Sequence, residues 1–149
     1  MKLNLEINNA TKSPVKKAFI QRVVLEALEK SRCDFLREKT ISLSFAWITE
    51  AEIRAINKTY RGKDRATDVL SFCEYADTPS LKKAPEKELF LGELLLCYNY
   101  IKTVAEASGQ EKSLQKELAR IIAHGVLHLL GFLHGKKMFD IQDAISEDF

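Results

Sequence analysis

The sequence predicts an α+β fold, layered in the manner of α/β proteins: one domain over residues 1–149 with a four-stranded mixed sheet packed by about five helices. Three observations carry this prediction. Short apolar runs alternate with period two, longer segments repeat with helical spacing, and the two kinds follow one another as βαβαββααα. Helices between the first strands let those strands run parallel through crossovers. A chain of 149 residues buries most of the surface its unfolded form exposes, yet is too short for two full cores.

The elements follow in order. Leu3, Leu5 and Ile7 alternate with polar residues as a half-buried strand. Ser13-Pro14, followed by Val15, Phe19, Val23 and the apolar residues of 25–28, predicts a helix capped at Ser13. Ile41, Leu43 and Phe45 alternate with Ser42 and Ser44 as a second strand, and Thr49 with Glu52 is a capping box for a helix to about Tyr60. Two β-rich runs, Val69 to Tyr75 and Leu89 to Cys97, flank a polar stretch from Ala76 to Glu88 that carries two prolines and reads as a loop. A helix from Tyr98 to Ala107 ends at Ser108-Gly109. Ser113 then caps a long helix running into Gly131, and an amphipathic segment from Lys136 to Ile145 follows.

Composition excludes the disordered, collagen-like and membrane-spanning classes: 46% of residues are apolar, 30% are charged, and the mean hydropathy is −0.19. Asn, Glu and Lys interrupt the first apolar positions, and no later run is long enough for a span. Residence in the cytoplasm, with no membrane partner, is therefore expected. Cys33, Cys73 and Cys97 are widely spaced in apolar surroundings and read as reduced, buried thiols.

All three histidines fall in one window, His124-Gly-Val-Leu-His128-Leu-Leu-Gly131-Phe-Leu-His134. His124 and His128 are i and i+4, one turn apart on one helix face, so their ring nitrogens can converge on one ion. Leu118, Ile121, Ile122, Gly125 and Leu129 form the buried stripe, and the two histidines flank it. On a straight helix His134 would lie about 15 Å from His124 along the axis. Gly131 resolves this, because a glycine past a helix terminus takes the left-handed conformation and lets the chain return. Three neutral imidazoles leave a fourth position open, the catalytic arrangement for zinc; nickel and cobalt also accept imidazoles. The window overlays the zincin-like spacing of metzincin proteases, but Gly125 stands where their catalytic Glu would be, which disfavours peptide hydrolysis.

Between Arg54 and Arg65 lie Arg54, Lys58, Arg61, Lys63 and Arg65 against Asp64 alone, a local charge of +4 in a chain of net charge +2. Tyr60 and Gly62 bracket Arg61, so an aromatic surface, a forked guanidinium and a flexible backbone meet in one loop suited to a phosphodiester. If loop and histidines share a cleft, Arg61 would stabilise the charge of a phosphoryl transition state. Asp68 and Glu93 are carboxylates that could approach as proton acceptor, whereas Glu117, on the histidine face, lies two turns too early, and the acceptor is left open.

Asn57-Lys-Thr-Tyr60-Arg61-Gly-Lys63-Asp64, Thr67-Asp68-Val69-Leu70-Ser71-Phe72, Leu91-Gly92-Glu93 and the histidine window resemble, in order and spacing, the YbeY family of bacterial ribosomal RNA maturation factors. The resemblance implies a metal-dependent endoribonuclease specific for single strands, acting in the cytoplasm on the 3′ end of small-subunit ribosomal RNA and in ribosome quality control. It implies zinc on His124, His128 and His134, substrate contacts at Arg61 and Lys63, a role for Arg61 in activity, and ribosomal RNA with the small ribosomal subunit as partners. DNA is not expected as a partner, and the oligomeric state is open. The sequence departs from the family pattern at Leu133 (Asp), Phe132 (Tyr), Glu93 (Asp), Ala66 (Pro) and Cys73 (Pro). The absent Glu at position 125 leaves a second reading: a ribosome-assembly, RNA-binding factor with a structural metal and no nuclease activity.

Overall fold

The computed structural model describes residues 1–109 and 113–149. Alternating side chains make four strands: β1 (Lys2–Asn8), β2 (Thr40–Trp47), β3 (Val69–Cys73) and β4 (Glu88–Leu96). They form one mixed sheet in the order β1-β2-β4-β3. β1 and β4 run parallel to β2, and β3 is antiparallel to β4 at one edge. In β2, Ile41, Leu43, Phe45 and Trp47 all enter the main core.

The described residues form six α-helices, one more than the sequence predicts: α1 (Lys17–Lys30), α2 (Glu50–Arg61), α3 (Thr78–Lys83), α4 (Tyr98–Ala107), α5 (Leu114–Leu129) and α6 (Lys136–Glu147). The additional helix, α3, lies in the stretch read as a loop. Asp77 caps it by accepting the Ser80 N–H at 2.8 Å, and buried Leu81 anchors it. The expected cap of α1 is also corrected, since α1 starts at Lys17 with no side-chain cap. Asn9 instead engages Ser13 on both backbone groups, at 2.8 and 2.9 Å, and holds it in a turn. The Thr49–Glu52 capping box and the Ser113 cap form as expected.

β4 carries a bulge. Ser42 pairs with Phe90 but Ser44 with Glu93, so an extra residue enters β4 at Leu91-Gly92. Gly92 has φ 132°, and a Cβ there would lie 2.1 Å from the Phe72 carbonyl oxygen. Past the bulge the alternation shifts. Leu89 and Leu91, then Leu94 and Leu96, face the main core, while Leu95 packs with Ile53 of α2 on the other face and Glu93 is exposed.

Helix α5 packs against α1, α6, β3 and β4, and is buried more completely than its predicted stripe. From Ile121 to Leu130 only His124 and His128 are not buried. The cysteines divide: Cys97 is buried, Cys33 half-buried, and Cys73 exposed, contrary to the reading of three buried thiols. Cys73 sits at the end of an edge strand, where one side has no neighbouring strand to cover it.

Candidate metal centre and cleft

The turn after α5 places the third histidine. Gly131 takes φ 92°, its N–H donates to the His128 carbonyl at 2.9 Å, and the Phe132 N–H donates to the Leu127 carbonyl at 3.0 Å, a paired helix stop of the Schellman type. The start of α3 braces this turn. The Thr78 hydroxyl donates to the Leu130 carbonyl at 2.6 Å, and a Cβ on residue 131 would lie 2.4 Å from the Thr78 nitrogen. The chain then returns so that His134 meets His124 and His128.

The three Nε2 atoms form a triangle with sides of 3.1 Å (His124–His128), 2.8 Å (His128–His134) and 3.3 Å (His124–His134). A tetrahedral ion with Zn–N near 2.0–2.1 Å needs sides of about 3.3 Å, so the triangle fits with a small expansion. The donor chemistry agrees. His128 Nδ1 faces the Phe132 carbonyl at 3.1 Å, and His124 Nδ1 faces Oε1 of buried Gln142 at 2.7 Å. Both partners only accept, so each Nδ1 carries the proton and each Nε2 presents a lone pair. Two lone pairs directed at each other across 3.1 Å repel unless a cation lies between them. Burial, first, and the neighbouring imidazoles hold His124 and His128 below the ordinary histidine pKa despite their Nδ1 acceptors, which favours the neutral, ligating form. His134 is more exposed and stacks on Phe139, with ring centroids 6.0 Å apart. The group could therefore hold one metal ion. Leu133, where the family pattern has Asp, points to solvent at 84% exposure.

Gly125 does not face this group. A Cβ there would meet Leu94 Cδ2 at 2.9 Å and Val69 Cγ2 at 3.4 Å, so the position is the close approach of α5 to the sheet. A side chain there would push on the Leu94 methyl groups and face the sheet, so position 125 offers no proton acceptor to the histidine group.

The cleft over the histidines, about 540 Å³, is also lined by Arg61, Lys63, Arg65, Thr67, Asp68, Ser71 and Cys73. The basic segment is thus divided by its pairing. Arg54 and Lys58 turn to Asp64, at 2.9 and 3.9 Å, whereas Arg61, Lys63 and Arg65 line the cleft. Gly62 stops α2 with φ 71°, and buried Asn57 donates to the Arg65 carbonyl at 2.9 Å, pinning the loop. Arg61 donates to the Ser71 carbonyl of β3 at 2.8 Å and lies over the Phe72 ring. Of Asp68, Glu93 and Glu117, Asp68 alone lines the cleft. Its Oδ1 accepts the Val69 N–H at 2.7 Å. Glu117 is bonded to Arg120, and Glu93 lies on the far face of the bulged strand. Asn57 is legible in the sequence only as the first residue of the Asn57–Asp64 motif. Arg65 was legible only as one charge in a run, and Gln142 gave no signal.

Fold and cleft define the class: an α+β protein with a histidine group able to hold a metal at the floor of a basic cleft. Over residues 6–149 the sequence matches the family described as Endoribonuclease YbeY, and the chain belongs to that family. It is thereby a hydrolase of the kind that acts on RNA phosphodiester bonds. Similar proteins include Endoribonuclease YbeY of a Sulfurihydrogenibium species, 37% identical over 118 residues that cover 75% of this chain and 72% of that one. The protein of the same name from Staphylococcus epidermidis is 38% identical over 113 residues, 72% of each chain. That from Macrococcus caseolyticus is 36% identical over 135 residues, 87% of this chain and 83% of the other. A Thermotoga maritima protein solved in solution shares the fold, with TM-score 0.56 and 24% identity over 97% of this chain and 88% of that one. Among the described residues, no helix is long and apolar enough to cross a membrane.

Proposed function

We propose that residues 1–149 act as one metal-dependent endoribonuclease domain, specific for single strands, in 3′ end maturation of small-subunit ribosomal RNA and in ribosome quality control. The partners are ribosomal RNA and the small ribosomal subunit, and the compartment is the cytoplasm. One observation carries the reading: the three histidines share a cleft with Arg61 and Lys63.

His124, His128 and His134 would hold zinc, with nickel and cobalt suited to the same donors. When bound, the ion supplies Lewis acidity toward a phosphate oxygen or water. Arg61, anchored on Ser71 and Phe72, offers its remaining N–H groups to the phosphate and stabilises the charge that builds in the transition state. Lys63 and Arg65 hold flanking phosphates. Asp68, fixed by the Val69 N–H, accepts the proton from the attacking group. Single-strand preference follows from cations at and just after the end of α2, set around an open cleft instead of a groove shaped for a duplex.

The test is cleavage of an unstructured RNA by zinc-loaded protein and by a folded His128→Ala variant. Internal cuts by the first and none by the second support the proposal; equal absence of cutting rejects it. A folded His124→Ala variant that still supports rRNA maturation would point instead to an RNA-binding assembly factor.

A further inference from the structure

Phe132 belongs to two surfaces at once. Its carbonyl accepts from His128 in the metal cleft, while its ring lines a second concavity of about 600 Å³. Three cations from separate elements reach that concavity: Arg32 just after α1, Lys82 on α3 and Lys137 on α6. Among the described residues, no carboxylate lies within ion-pair distance of any of the three. Asp34, the one acidic residue of the lining, is 3.3 Å from Arg37. The aromatic walls are Phe35 and Phe132, with Lys137 over the Phe132 ring at 5.4 Å.

Arg32 adds an independent sign. It has φ 59° at the position after the C-cap Ser31, where glycine is the usual occupant because a side chain is strained there. An arginine held in that conformation projects from a rigid helix end, and backbone outliers concentrate at functional positions.

Unpaired cations beside aromatic faces are the chemistry of single-stranded nucleic acid recognition, with phosphates on the cations and a base against a ring. We propose that this surface binds a second segment of the same RNA strand, its phosphates on Arg32, Lys82 and Lys137 and an unpaired base against Phe132. The inference rests on the RNA-cleaving reading, and extends it by routing the strand from the metal cleft over the turn Leu130–His134.

The test is a salt titration of binding to a non-cleavable phosphorothioate oligouridylate long enough to span both surfaces, followed by fluorescence anisotropy with zinc-loaded protein. The variant is Arg32→Gly/Lys82→Ala/Lys137→Ala. Its glycine suits the left-handed backbone, and its other two positions are exposed, so folding is retained. Its log K against log salt slope should become shallower by about 2, and its affinity should fall by about tenfold. A Lys2→Ala/Lys17→Ala/Lys87→Ala control, of equal charge change, should leave both near the wild-type values. Equal effects of the two variants overturn the proposal. Unchanged RNA binding with loss of binding to a polyglutamate peptide also overturns it, in favour of a protein-docking surface. If the wild type binds no RNA, the RNA-cleaving reading falls as well.

Discussion

Oε1 of Gln142 on α6 lies 2.7 Å from Nδ1 of His124 on α5, and Gln142 is 4% exposed. This contact sets the imidazole tautomer and its orientation. Gln142→Leu keeps the volume and removes the acceptor. It should weaken zinc affinity by about 10–100-fold in a chelator competition while the melting temperature changes little. Unchanged affinity would mean that packing alone orients His124.

Two glycines with positive φ should respond differently to alanine. Gly62 has nothing within 4 Å of an added Cβ, so Gly62→Ala should cost about 1 kcal/mol from backbone conformation alone. Gly131→Ala drives the Cβ into Thr78 and should cost about 2–4 kcal/mol and impair zinc binding. Chemical denaturation of both variants checks the ranking.

Arg61 and Lys58 lie on one helix but do different things. Arg61→Ala should lower the cleavage rate by about 100-fold or more with little change in stability. Lys58→Ala should do little to either, because Lys58 faces Asp64 and lies outside the cleft lining. The salt dependence of RNA binding should instead respond to Lys63→Ala, with a slope shallower by about 0.7.

Asp68→Asn keeps an oxygen for the Val69 N–H and removes the proton acceptor. Cleavage should fall by about 100–10,000-fold with RNA and zinc affinity retained. Full activity would transfer the acceptor role to another group. Glu93→Gln, on the other sheet face, should leave the rate near wild type.

Features set by neighbours in the chain were legible beforehand. The Thr49–Glu52 capping box needs only three residues of separation, and the convergence of His124, His128 and His134 follows from one helical turn and one glycine stop. The Ser13 cap misled because Asn9, four residues earlier, competes for the Ser13 backbone. The helix at Thr78–Lys83 was hidden because six residues with a proline are marginal alone; Leu81 must reach the core to hold them. Glu93 looked available until the bulge at Gly92 moved the strand's alternation by one residue.

Amino-acid order alone thus settled the four strands, five of the six described α-helices and the histidine geometry, since these rest on hydrogen bonds and side-chain periods spanning a few residues. Packing decided the rest: the sheet order, the contact of Gln142 with His124, the burial of Gly125 on Leu94 and the division of one basic run between Asp64 and the cleft. Each of these depends on which distant surfaces exclude water together, and local periodicity encodes the apolar face of an element without naming the partner that covers it.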